Sequence, residues 1–65
     1  MKATELKKIR HDLDLTQAKL AEALGVSWRT YIRWELGEQA IPGPAGKLAD
    51  LIRTSIVVRE RLGIS

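Results

Sequence analysis

The sequence predicts an all-helical domain of four or five short helices. Apolar residues recur at three- and four-residue spacing along most of the chain, glycine or proline punctuates the runs at short intervals, and the alternation that marks a β-strand is almost absent. At 65 residues the chain amounts to a single domain, 1–65, near the lower size at which one hydrophobic core sustains itself.

Helix 1 is expected over about residues 4–12, where Leu6, Ile9, Arg10 and Leu13 share a face. Asp14 and Leu15 interrupt it. Thr16 can then offer its oxygen to the free amides of helix 2, about 17–24, whose apolar positions are Leu20, Ala21 and Leu24. Gly25 stops that helix in the left-handed conformation, Val26 drops into the core, and Ser27 caps helix 3, about 28–35, before Gly37. So short a glycine-containing turn makes helices 2 and 3 cross at a large angle. Pro42 and Pro44 make 38–44 a loop, with Pro44 at the first position of helix 4, which turns Ala45, Leu48, Leu51 and Ile52 inward. Thr54 or Ser55 caps a fifth helix, about 55–62, unless helices 4 and 5 form one bent rod.

Composition excludes more than it selects. With no cysteine, disulfides, cysteine-ligated zinc and thiol nucleophiles are out, and a reducing cytoplasm is the expected location. His11 stands alone among charged neighbours, no paired carboxylates converge, and no glycine-rich phosphate loop is present. The expectation is no enzyme, no metal, no cofactor and no small-molecule ligand. No stretch approaches the ~20 apolar residues of a membrane span. The net charge of +3 is modest, so what matters is whether the positive residues share a face.

They do on helix 3. At about 100° per residue, with Trp28 at zero, Ile32 falls near 40°, Arg29 near 100° and Arg33 near 140°, while Thr30, Trp34 and Tyr31 occupy the opposite arc. Two arginines one turn apart can fork hydrogen bonds to guanine O6 and N7 or to phosphates, and Trp28 and Ile32 can touch thymine methyls. The plainer reading makes the arginines solvated charges and puts Trp28 and Ile32 in a protein contact.

The stretch Leu15-Thr16-Gln17-Ala18-Lys19-Leu20-Ala21-Glu22-Ala23-Leu24-Gly25-Val26-Ser27, followed by Thr30, Arg33, Trp34, Glu35 and Gly37, resembles the helix-turn-helix family of phage repressors, Cro proteins and related bacterial regulators. The resemblance runs from Leu6 to about Leu51, roughly two-thirds of the chain. It implies a lambda-repressor-like domain that reads the major groove of double-stranded DNA. It further implies base contacts from Trp28, Arg29, Ile32 and Arg33, and phosphate contacts from Thr16, Gln17, Ser27 and Thr30, although packing or capping is an alternative for Thr30. Arg10 and Glu35 match a partly buried ion pair of several family members. Two departures stand out: residues 38–41 lack the basic residues that many relatives place there, and Trp28 is bulky where a small polar residue or arginine is usual.

Ile56, Val57, Val58 and Leu62 are more apolar surface than one short terminal helix buries in its own domain. They are expected to form the interface of a homodimer, unless they close the monomer core. A two-fold dimer places two recognition helices about 34 Å apart, as an inverted-repeat operator requires. The overall expectation is a dimeric autorepressor, phage- or bacterially encoded, whose length leaves no room for a sensing domain. The rivals are an antitoxin, whose tail holds a protein partner, and an adaptor that binds no DNA.

Overall fold

A computed structural model describes residues 1–62, with side chains described through Ile56. It contains four helices in the order α1 (Ala3–Asp12), α2 (Gln17–Leu24), α3 (Trp28–Glu35) and α4 (Gly43–Leu62). The all-helical expectation therefore holds in its four-helix form.

The first three helices start and stop by local chemistry. Thr16 Oγ1 accepts from the Lys19 amide at 3.1 Å and Ser27 Oγ from the Thr30 amide at 3.2 Å, each satisfying a donor that has no partner within its helix. At the other ends one device recurs. Asp14, Gly25 and Gly37 all take positive φ, at 55°, 73° and 75°. In each case the next amide reaches back across the last turn: Leu15 to the Arg10 carbonyl, Val26 to Ala21 and Glu38 to Arg33, at 3.0–3.2 Å. These are Schellman closures. Glycine adopts the left-handed conformation without penalty at two of them; at the third the chain relies on aspartate, one of the few other residues that tolerate it.

α4 begins when the Gly46 amide bonds to the Pro42 carbonyl at 3.0 Å, so Gly43 is the first helical residue and Pro44 the second. Pro44 was expected one position earlier in its helix; either place lies in the first turn, where its missing N–H is not needed. No separate fifth helix starts near residue 55. Nothing between Lys47 and Leu62 is glycine or proline, so the hydrogen-bond ladder continues through Thr54 and Ser55.

Leu6 and Ile9 of α1, Leu20, Ala21 and Leu24 of α2, Tyr31 and Trp34 of α3, and Ala49 of α4 form the core. α1 packs on α3 and α4, while α2 packs on α3 and α4. One sequence expectation fails here. Leu48 and Leu51 were placed inward, yet they are 40% and 61% exposed, whereas Ala49 is fully buried. Ala45, Ala49 and Ile52 set the phase of α4, because two alanines let its backbone approach α1 and α2 closely. Leu48 and Leu51 then lie about 100° and 160° from Ala49 around the axis.

Asp14→Gly relieves the left-handed strain at the α1 terminus. It is expected to raise stability by about 0.5–1 kcal/mol, read as a higher urea midpoint with unchanged slope, and Asp14→Val is expected to lower it.

Candidate nucleic-acid interface

α3 presents two unlike faces. Inward, Tyr31 and Trp34 are buried with ring centroids 6.3 Å apart at a tilt of 58°, anchoring the helix through large apolar areas and a favourable ring geometry. Outward, Trp28 is 54% exposed, Arg29 and Arg33 are exposed and Ile32 is half-buried. The two arginines form neither a salt bridge nor a side-chain hydrogen bond with any described residue. Their donors are therefore available to a ligand.

The last residue of α3 anchors the helix in a different way. Glu35 is buried, and Arg10 of α1 grips it with both arms of the guanidinium fork, Nε donating to Oε2 at 2.7 Å and Nη2 to Oε1 at 3.3 Å. Arg10 Nη1 also donates to the Leu15 carbonyl at 3.2 Å, holding the α1–α2 connection. Gln17, at the start of α2, donates from Nε2 to Glu35 Oε1 at 3.1 Å. The Tyr31 hydroxyl faces the same carboxylate without hydrogen-bond geometry. Burial by itself pushes the Glu35 carboxyl up. Hydrogen bonds and charge from Arg10, with the Tyr31 and Gln17 dipoles, outweigh burial and hold the carboxyl below its ordinary range. Desolvation pushes the Tyr31 phenol well above its ordinary range, so it stays protonated.

The residues expected to meet phosphate fall at the starts of α2 and α3. Neither helix has an acidic residue in its first turn, which leaves the positive end of each dipole uncompensated. Thr16 is exposed and its oxygen serves as the α2 cap. Gln17 is half-buried; one amide hydrogen is taken by Glu35 and the other is left over. Ser27 Oγ caps α3 and also donates to Thr30 Oγ1 at 3.0 Å, so the Thr30 hydroxyl proton is free to donate outward. Both hydroxyls of this pair therefore have local structural roles as well as access to solvent.

The Gln17–Glu35 bond was not anticipated. Its sequence signal is a carboxylate on the inner face of α3, which demands more donors than one arginine supplies. Of the expected dimer residues, Ile56 is 40% exposed, while the side chains of Val57, Val58 and Leu62 lie outside the described residues. Among the described residues no group of histidine, aspartate and glutamate is placed to hold a metal ion, and no helix is long and apolar enough to cross a membrane.

Because Glu35 titrates lower folded than unfolded, its contribution to stability is complete above the ordinary value of 4.5 and is lost as pH falls through the native value. Arg10→Ala leaves a buried carboxylate underpaired and is expected to cost about 3 kcal/mol at pH 7, with much of that cost disappearing at an acid pH below the native value, where Glu35 is protonated. Urea unfolding at both pH values checks this; equal losses at the two would contradict it.

A helix-turn-helix family model matches the chain over residues 6–57, which takes in all of α2 and α3 and most of α1 and α4. No curated protein and no solved structure gives a significant match.

Proposed function

Because this chain belongs to the helix-turn-helix family, of the Cro/C1 type of DNA-binding regulators, we propose that it is a sequence-specific repressor that binds an inverted-repeat operator as a homodimer and blocks the promoter it covers. The observation that carries the reading is the outer face of α3, where two exposed arginines without partners among the described residues stand one turn apart beside an exposed tryptophan.

In this mechanism α3 enters the major groove. Arg29 and Arg33 direct forked donors at guanine O6 and N7, a contact worth about 1–3 kcal/mol of discrimination per base pair. Trp28 and Ile32 supply apolar contact to thymine methyls and sugars. The start of α2 meets the backbone through the Thr16 hydroxyl, the remaining Gln17 N–H and the first helical amides, with Ser27 and Thr30 beside them. Phosphate contacts fix the register and base contacts choose the sequence. The Glu35 network supports this division: it ties α3 to the residue that begins α2, so the backbone clamp and the reading head move as one unit. Residues 38–41 contain no lysine or arginine, which places more of the binding on α2 and α3.

Footprinting on the DNA upstream of the chain's own gene, with excess random competitor at moderate salt, tests the reading. It predicts a protected inverted repeat; no protected site there would remove autorepression. At a cognate site Arg29→Ala and Arg33→Ala are each expected to cost about 1–3 kcal/mol and to relax the preference at one base pair. Gln17→Ala is expected to weaken cognate and random duplexes alike; a loss confined to the cognate site would contradict its role at phosphate. Mobility-shift titrations on both DNAs measure these effects.

A further inference from the structure

A large apolar side chain at the end of α3 has no part in the mechanism above. Leu36 caps the helix in the right-handed conformation and is 65% exposed, more than Trp28. At about 100° per residue it falls near 80° from Trp28, so Trp28, Ile32 and Leu36 form one row along the outer face, each about 6 Å beyond the last. Arg29 and Arg33 form a second row beside it, with Arg29 about 60° from Ile32 and Arg33 as far from Leu36. We propose that this face reads pyrimidines by their C5 methyl group, so that next to a guanine it binds 5-methylcytosine as it binds thymine, and cytosine methylation strengthens its sites. The inference rests on the DNA-reading function above and names the base chemistry that α3 selects.

Three observations select this chemistry. The first is what the face lacks. Trp28, Arg29, Ile32, Arg33 and Leu36 offer donors on the indole and the two guanidiniums, and no hydrogen-bond acceptor. Such a face can bond guanine O6 and N7 or thymine O4, but nothing on it accepts from the amino group of cytosine or adenine. A cytosine therefore gains no hydrogen bond here, and a C5 methyl is the group through which it can gain from the apolar row. Thymine carries that methyl on the groove edge, and 5-methylcytosine carries the same group in the same place. The second observation is the order of the rows. Each arginine has an apolar neighbour one turn on, so a guanidinium forked on guanine has an apolar side chain beside it, in reach of the adjoining base about 3.4 Å along the strand. The third is charge. An apolar row alone would suit a protein partner. Here the one carboxylate of α3, Glu35, is buried, and both arginines lack partners among the described residues, so the uncompensated positive charge beside the row suits a polyanion.

Site selection with the full chain from a random duplex library, followed by titrations on single-base variants of the selected site, tests the proposal. The site is expected to contain thymine next to guanine. Uracil in place of that thymine removes the methyl group alone and is expected to weaken binding about three- to fivefold, the effect of leaving one methyl-sized group unburied. At the same position 5-methylcytosine is expected to restore binding and cytosine is not. Trp28→Ala or Ile32→Ala, each with a folded circular dichroism spectrum, is expected to bring thymine and uracil duplexes to equal affinity while binding still weakens with salt. The proposal would be overturned, with sequence reading left standing, by a selected site that lacks the step or by equal binding of thymine and uracil. Equal binding of cytosine and 5-methylcytosine, or a methyl effect that neither substitution reduces, would overturn it in the same way. A library that gains no sequence bias would overturn the proposal and the DNA-reading function together.

Discussion

A carboxylate buried at the end of α3 constrains the arrangement of three helices. Left alone in that environment, Glu35 would carry a desolvation penalty of several kcal/mol, a large fraction of the total stability available to a domain of this size. Arg10 removes the penalty with a bidentate grip, and Gln17 supplies one more donor. Since those donors come from α1 and from the first turn of α2, the carboxylate is satisfied only when all three helices stand in one relative position. Apolar packing of Tyr31 and Trp34 provides most of the attraction that holds α3 down, but such packing is non-directional. The polar cluster supplies the direction.

That division of labour has a functional consequence. Recognition of a duplex requires the reading helix and the backbone clamp to keep a fixed spacing, because a misplacement of the order of 1 Å spoils forked hydrogen bonds to a base edge. In this chain the helix and the helix start to which the proposed function gives those two parts are joined through one carboxylate, Gln17 at the start of α2 donating to Glu35 at the end of α3. The pair is therefore better explained by specificity of arrangement than by net stabilisation. Replacing it with matched apolar residues could preserve the fold while loosening the spacing on which recognition depends.

Much of this was legible in the sequence, for identifiable reasons. Caps and stops are local chemistry, so Thr16, Gly25, Ser27 and Gly37 marked the bounds of α2 and α3 correctly, and the angular spread of Trp28, Arg29, Ile32 and Arg33 separated the two faces of α3. The phase of α4 was misjudged because leucines weigh more than alanines when a face is chosen by hydropathy. The packed helix turns its alanines inward because close approach of backbones, a tertiary effect, decides the contact. The choice between one rod and two helices stayed open for a related reason: serine and threonine suit a cap and are tolerated within a helix. The Gln17 bond depends on a crossing angle that no spacing rule encodes.

The central claim, that the outer face of α3 reads a defined sequence while α2 holds the backbone, is tested most directly by selecting binding sites from a random duplex library at moderate salt. The account predicts enrichment of a two-fold symmetric site with guanines in each half and half-site centres about 10–10.5 base pairs apart. A pool that gains no sequence bias over successive rounds, and whose binding declines uniformly as salt rises, would contradict it.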